Sequence, residues 1–352
     1  MKRLFFLLAM LAVSQGINAI TPELKFKNDG TFKIVQFTDL HIRTINPEQA
    51  DKVYARIKYI AKVEKPDLIV VTGDMVLIRP AEPEICRFIS VLDETGVPWA
   101  VTFGNHDEQQ DLTRSEMSEL YVSGKHSLNT LNEAGELADL EIPVFSVKRN
   151  TPAFHVFCMD SHSYSTEQGV EGYDWFSPEQ VQWLRDCCLN RTASDGSIAP
   201  SMAFFHIPLC EYIDAWSARD NPREKYASKK QSDGIRGESI CCGALNSGMF
   251  CAMKETRSVI GVSVGHDHDN DFIAVYRDIA LCYGRFSGDN TVYNHLPHGA
   301  RVFEVREGVK GFETWIREDD GRVVNHNLFD GKELKAAPRD RALPYGVWSD
   351  IK

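Results

Sequence analysis

From Thr31 onward, short apolar runs alternate with amphipathic ones, and this rhythm constrains the fold of the 352-residue chain more than any other feature. Residues 32–38 read as a strand, and residues 47–64 then set Val53, Ile57, Ile60 and Ala61 at helical spacing. Residues 68–72 form a second strand, Ile85, Phe88, Ile89 and Leu92 mark a second helix, and residues 97–103 make a third strand. Strands and helices alternating in this way predict βαβ units, right-handed crossovers and a buried parallel sheet. Further strands are expected at 144–147, 153–159, 202–206 and 259–264, with a helix over 179–190 that opens on Ser177 and Pro178. Residues 108–139 are polar and mixed, and are expected to hold a helix and a surface insertion. Residues 214–243 read as a loop-rich rim, basic at Lys225, Lys229 and Lys230, and 272–315 as an antiparallel closing sheet. With no internal repeat, low-complexity tract or linker, one domain over residues 20–352 is expected, with a core over 31–317.

Lys2 and Arg3, an apolar run from Leu4 to Val13 and small residues up to Ala19 have the layout of a secretory leader. Cleavage is expected after Ala19, with Gly16 as the second choice, giving an exported protein. No stretch reaches the roughly 18 uninterrupted apolar residues of a membrane span. Lys and Arg number 39 against 50 Asp and Glu, so the net charge is −11. A body this acidic repels a nucleic-acid backbone, so binding to a nucleic-acid scaffold is not expected. A small anionic substrate remains possible where the site is locally positive. Nine cysteines cannot all pair within one chain, and the neighbours Cys187 with Cys188 and Cys241 with Cys242 make poor partners for each other. Cys158 and Cys282 sit in apolar runs and are expected to be buried and inert. No cysteine spacing matches a zinc ribbon or a redox dithiol, so a thiol oxidoreductase is disfavoured and the disulfide pairing stays open. Asn190, Arg191 and Thr192 form a glycosylation sequon.

The chemistry gathers where the strands end. The first strand runs into Asp39 and His41, the second into Gly73 and Asp74, and the third into Gly104, Asn105, His106 and Asp107. A later strand ends at His206, and another at Gly265, His266, Asp267 and His268. The carboxyl ends of strands line the binding crevice in open α/β sheets, so these blocks are expected to converge on one edge. Taken singly, each has a structural explanation: a turn at Gly73 and Asp74, a core histidine at His206, turn-stabilising carboxylates at Asp107 and Asp267. Five such blocks in order, each directly after a strand, argue for a site. Imidazoles mixed with carboxylates suit zinc, iron or manganese, whereas calcium and magnesium prefer oxygen cages. Seven donors are too many for one tetrahedral ion and suffice for two ions sharing a bridge. Asp74, with two equivalent oxygens and a central strand position, is the expected bridge. With a bridging hydroxide the ligands bring roughly −3 against +4, which leaves an acidic protein with a cationic cleft.

Together these blocks resemble those of the calcineurin-like metallophosphoesterases over roughly residues 31–315. The finer likeness is to the branch related to purple acid phosphatases. It lies in Phe204-Phe205-His206-Ile207-Pro208-Leu209 with Glu211-Tyr212, in Asn246-Ser247-Gly248 and in Gly265 to Asp271. It continues in Tyr283-Gly284-Arg285 and Gly299-Ala300-Arg301-Val302. The resemblance implies an α/β fold, a four-layered αββα sandwich with two central mixed sheets. It also implies that Asp39, His41 and His268 hold one metal, that Asn105, His206 and His266 hold the other, and that Asp74 bridges them. His106 would meet the leaving group, oriented by Asp107. The purple enzymes place a tyrosine shortly after the second block, where this chain has Met75, Val76 and Leu77. His41 is expected to take that coordination place, without tyrosinate-to-iron colour.

The expected activity is hydrolysis of a small phosphate monoester by attack of a metal-bridging hydroxide, with two divalent or mixed-valence ions (iron, zinc or manganese) as cofactors. A phosphodiesterase or nucleotide hydrolase on the same metals is the alternative, and a non-catalytic metal-binding surface protein is the alternative of another class. Arg285 is a candidate phosphate donor, although a structural salt bridge suits it as well. Asp160 and His162 follow another strand and are weaker candidates, since Asp-Ser commonly makes a turn.

Overall fold

The chain enters through a two-residue strand, β1 (Leu24–Lys25), and the long strand that follows, β2 (Thr31–Phe37), shows how the layers are made. Its side chains alternate: Phe32 and Ile34 go to one core, Val35 and Phe37 to another. The helix α1 (Pro47–Glu64) covers the second face with Val53, Ile57 and Ile60. Strand β3 (Leu68–Thr72) repeats the division, with Leu68 and Val70 on one side and Ile69 and Val71 on the other. Helix α2 (Glu82–Glu94), strand β4 (Trp99–Thr102) and helix α3 (Arg114–Val122) complete this half. Each fully buried side chain of this kind contributes about 1.5–3 kcal/mol. The computed structural model describes residues 23–43, 47–190, 197–218, 231–289 and 292–337. The leader over residues 1–19, Arg191 and Thr192 of the sequon, and Lys225, Lys229 and Lys230 lie outside the described residues.

Beyond α3 come β5 (Leu140–Phe145), β6 (Pro152–Cys158), α4 (Pro178–Asn190), β7 (Ser201–Phe204), α5 (Glu211–Ala218), β8 (Ser232–Asp233), α6 (Met249–Thr256) and β9 (Val259–Val264). Then follow β10 (Ile273–Tyr276), β11 (Ile279–Tyr283), β12 (Gly299–Arg306), β13 (Phe312–Glu318), β14 (Val323–Phe329) and β15 (Leu334–Ala336). One sheet of eight strands has the order β1-β5-β6-β7-β9-β11-β10-β8, and one of seven has the order β15-β14-β13-β12-β2-β3-β4. Both are mixed: β2, β3 and β4 run parallel while β12 is antiparallel to β2, and β6, β7, β9 and β11 run parallel while β5 and β10 do not. The inner faces meet in a core of Phe32, Ile34, Val70, Val156, Met202 and Phe204. Helices α4, α5 and α6 cover the outer face of the larger sheet through Leu184, Tyr212 and Met253. The result is the expected four-layered arrangement of helices, sheet, sheet and helices. No described helix is long and apolar enough to cross a membrane.

Three expectations need correction. The βαβ rhythm does not build one parallel sheet: β2, β3 and β4 belong to one sheet, β7 and β9 to the other. Local periodicity reports that a strand is buried but not which sheet it joins. Residues 272–315 do not form one antiparallel closing sheet, because β11 pairs parallel with β9 while β12 and β13 extend the seven-stranded sheet. The rim expected over 214–243 begins as a helix, α5, rather than a loop. Cys158 and Cys282 are buried as expected, and burial pushes the Cys282 thiol up to about 12.

Candidate metal centre

The turns after β2 and β3 are hydrogen-bonded together, and this sets the geometry of the site. The Asp39 amide donates to the Gly73 carbonyl at 3.2 Å and the His41 amide to the Asp74 carbonyl at 2.9 Å. Asp39, His41, Asp74 and His266 all hold left-handed backbone conformations, with φ of 53°, 42°, 54° and 76°. Such conformations cost non-glycine residues of order 1 kcal/mol or more each and persist only where surroundings enforce them. Gly73 is required by crowding as well as by its φ of 79°, since a Cβ there would lie 2.6 Å from the Gly104 nitrogen and 2.7 Å from His206 Nδ1. The backbones of the β3 and β4 turns thus approach each other and His206 as only glycine permits.

All seven expected donors are buried and come together at the strand ends of both sheets. Asp74 Oδ2 lies 3.4 Å from His41 Nε2 and 3.3 Å from His206 Nε2. Asp39 Oδ1 lies 3.6 Å from His268 Nε2 and 4.0 Å from His206 Nε2. His41 and His268 face each other with their Nε2 atoms 3.2 Å apart, and Asn105 Oδ1 is 3.2 Å from His206 Nε2. Two groups could each hold a metal ion: Asp39, His41 and His268, and Asp39, Asp74 and His206. His266 stands beside the second, its ring 5.1 Å from that of His206 and its amide donating to Asp39 Oδ1 at 3.1 Å.

The donor chemistry fits metal ions. His206 donates its Nδ1–H to the Thr72 carbonyl at 2.7 Å, and His268 donates its Nδ1–H to the Tyr293 carbonyl at 2.9 Å. A carbonyl can only accept, so in the neutral form each imidazole would turn its Nε2 lone pair inward, as a ligating histidine must. Burial pushes His41 down to about 3 and His266 well below the usual histidine range, keeping both neutral. Burial raises Asp39; it works to raise Asp74 as well, but His206 and His41 beside that carboxylate hold it well below the usual range. Burial disfavours charge on His206, yet Asp74 and Asp39 draw its imidazole up to about 10. Among the described residues, the ion-pair partners of Asp39 and Asp74 are histidines, with no lysine or arginine. Two dry carboxylates facing inward lone pairs are compensated far better by a cation than by one imidazole.

Several expected roles change. The two Asp74 oxygens are not equivalent: Oδ1 accepts the His106 amide at 2.8 Å, so Oδ2 alone stands between the two donor groups. Asp107 does not orient the His106 ring. Its carboxylate accepts the amides of Asp74 at 2.8 Å, Met75 at 2.8 Å and Gly104 at 2.7 Å, joining the β3 and β4 turns. The His106 ring lies 5.4 Å from that of His41, and its buried Nδ1 has no hydrogen-bond partner among the described residues. Arg285 does not face the pocket as a phosphate donor. It is buried, and it pairs with Asp271, with Glu318 at 3.1 Å and with the Pro297 carbonyl at 2.6 Å. Asp160 is bound to Arg114, and His162 donates to Gln180 Oε1 at 2.7 Å, so neither joins the metal donors.

The sequence reading missed four contributors. Thr38 Oγ1 lies 2.8 Å from both Asp39 Oδ2 and the Thr72 carbonyl oxygen, and Tyr293 supplies the carbonyl behind His268. Tyr164 accepts from Asn105 Nδ2 at 3.3 Å and stacks on Tyr173, whose ring meets His266 edge-on at 4.4 Å. Only the position of Thr38 just before Asp39 was a readable signal; the tyrosines arrive from distant loops.

A family model described as calcineurin-like phosphoesterase matches residues 32–270. The chain is 30% identical over 343 residues to the probable inactive purple acid phosphatase 29 of Arabidopsis thaliana, with 85% of each chain covered. It is 30% identical over 327 residues to phosphatase DCR2 of Saccharomyces cerevisiae, covering 84% of this chain and 55% of that one. Among solved structures, a dimetal phosphatase from Danio rerio superposes with a TM-score of 0.57 at 13% identity, covering 85% of this chain and 98% of that one. At that identity the likeness is one of fold.

Proposed function

The chain belongs to the calcineurin-like phosphoesterase family, and from that membership we propose that it hydrolyses small phosphate monoesters at two metal ions. Asp39, His41 and His268 would hold one ion and Asn105, His206 and His266 the other, with Asp74 between the two groups. The observation that carries this reading is the single Asp74 oxygen 3.4 Å from one set of donors and 3.3 Å from the other. Bound there, two cations supply Lewis-acid activation of a phosphoryl group and an acidified water as nucleophile. The chain's own part is to hold the donors rigid and to present His106. The His106 amide is fixed on Asp74 Oδ1 and its partly exposed ring stands beside His41, so the imidazole is placed to donate to a phosphoryl oxygen or to the departing alkoxide.

A cavity of about 820 Å³ adjoins the centre without being lined by any of the seven donors or by His106, and its charge favours a monoester over a nucleotide. It is lined by Ser163 and Tyr164, both of which contact Asn105, and by Glu108, two residues past His106. Glu136, Asp139, Asp160, Asp174 and Glu179 also line it, against one arginine, Arg114, that pairs with Glu108, Glu136 and Asp160. Such a wall repels the further phosphates of a nucleotide and suits the neutral or cationic alcohol of a simple ester. The word inactive in the name of the Arabidopsis relative favours, as a second reading, a metal-binding protein without turnover. All seven donors and His106 are present here, which argues against it.

Protein with its metal content measured should turn over p-nitrophenyl phosphate faster than bis-p-nitrophenyl phosphate and leave nucleoside triphosphates largely intact. Preference for the diester or the nucleotide would replace the monoester reading, and no turnover at two ions per chain would establish the non-catalytic one. Export belongs to the same proposal, supported by the charged start and apolar run of residues 1–19. N-terminal sequencing of the exported product, expected to begin at Ile20, checks it.

A further inference from the structure

Nine cysteines spread along a chain give no pairing by spacing, but the fold brings two of them together beside the metal centre. Cys210 follows the Ile207-Pro208-Leu209 stretch that leaves His206, and Cys242 lies in the segment before α6. Cys210 Sγ lies 3.4 Å from the carbonyl oxygen of Gly243, the residue directly after Cys242, so the two thiols stand close enough to interact. Both side chains are partly exposed, so a small reagent can reach them.

We propose that Cys210 and Cys242 are a disulfide site, closed by exchange with a small-molecule disulfide, that staples the segment after His206 to the segment bracing His266 and His268. The braced segment has its own contacts with the site. The Cys241 amide donates to the Asp267 carboxylate at 3.2 Å, between the two histidines. The Ala244 amide donates to the carbonyl of Tyr173 at 2.9 Å, and the Tyr173 ring lies against His266. A cross-link from Cys242 to Cys210 therefore ties the exits of β7 and β9 together from the side facing the helices, and it removes freedom from the unfolded chain between the two residues.

The chemistry balances with a disulfide of the glutathione class as oxidant. The Cys210 thiol is held below its usual range by the hydrogen bond from Cys242, while that bond and burial push Cys242 up, so Cys210 is the attacking sulfur. Its thiolate displaces one thiolate from the small disulfide and forms a mixed disulfide. Cys242 then loses its proton, attacks the Cys210 sulfur and expels the second thiolate. Two cysteine thiols have lost two protons and two electrons, and one small disulfide has become two thiols.

Two other arrangements would leave different products. Cys241 adjoins Cys242 and could compete for Cys210, while Cys251 lies within α6, exposed and in contact with Glu255. The test uses the full chain equilibrated with oxidised glutathione or with dithiothreitol, alkylated with iodoacetamide and digested without reduction. The expected product of the oxidised sample is one peptide pair joining Cys210 to Cys242, absent after dithiothreitol. Its Tm should stand several degrees above that of the reduced protein, and Cys210→Ser and Cys242→Ser should each abolish that redox-dependent shift. Alkylated Cys210 and Cys242 in the oxidised wild-type sample, or Cys210 joined to Cys241, overturns the proposal without reference to how either variant folds.

Discussion

Asp74 divides its carboxylate between a peptide N–H and the pocket, so a substitution there acts on two things at once. Oδ1 fixes the His106 amide, and Oδ2 faces His41 and His206. Asp74→Ala should reduce bound metal below one ion per chain and lower turnover of p-nitrophenyl phosphate by at least about 10³-fold, as elemental analysis beside the assay would report. Undiminished activity in that variant would remove Asp74 from the bridge. His106 is placed differently, near the donors but outside the groups that could hold a metal. His106→Ala should therefore keep both ions while kcat falls by about 10²–10⁴-fold, the usual range for a lost proton donor. Loss of metal in step with activity would instead make His106 a ligand. Each of these residues was legible in the chain only as part of the five blocks that follow strands in order, since taken singly each has a structural explanation. Arg285 was left between two readings, because an arginine after a strand looks the same whether it meets a phosphate or, as here, Asp271 and Glu318 in the salt-bridge role.

At the level of elements, the site depends on how the turns after β3 and β4 are joined. Asp107 supplies that joint with three amide hydrogen bonds, and no water competes for them in a buried position. Asp107→Ala leaves the amides of Asp74, Met75 and Gly104 unpaired and should cost about 3 kcal/mol or more, read as a lower urea midpoint with the m-value unchanged. Metal affinity should weaken in the same variant, because all three amides flank or belong to donors. A merely exposed turn carboxylate would move neither quantity. The sequence suggested that Asp107 served its neighbour His106, the nearest group along the chain. The actual partners include Asp74 and Met75, which are close only because β3 and β4 run side by side. The helices were easier to read, since the Pro47–Glu64 and Pro178–Asn190 boundaries follow from local signals of spacing, Ser177 capping and proline placement.

For the whole molecule, the two sheets must keep their relative position, because Asp39, Asp74 and Asn105 come from one and His206, His266 and His268 from the other. Polar ties cross the space between them. Gln36 on β2 donates to Thr72 Oγ1 at 2.8 Å and to the Val264 carbonyl at 3.2 Å, and accepts from Ser263 Oγ at 2.5 Å. Arg301 on β12 is buried and reaches the carbonyls of Tyr283 and Asp271 as well as Thr314 Oγ1 at 3.1 Å. Arg301→Met leaves two buried carbonyls without this donor and should lower stability by about 3 kcal/mol, and should also weaken metal retention during dialysis. A Tm within a degree or so of the parent protein would show that the apolar core between the sheets suffices to hold them.

By itself the sequence determined most of the strands and helices of the first half, which residues offer donor atoms, and that metal ions suit them, because periodicity and residue type are local properties. Only the tertiary structure decided that the donors come from two sheets, that one Asp74 oxygen faces both donor groups, that Asp107 holds backbone amides, and that Cys210 meets Cys242. Those outcomes depend on which strand lies beside which, and pairing between distant strands is set by the packing of the whole core, a quantity that no window of sequence contains.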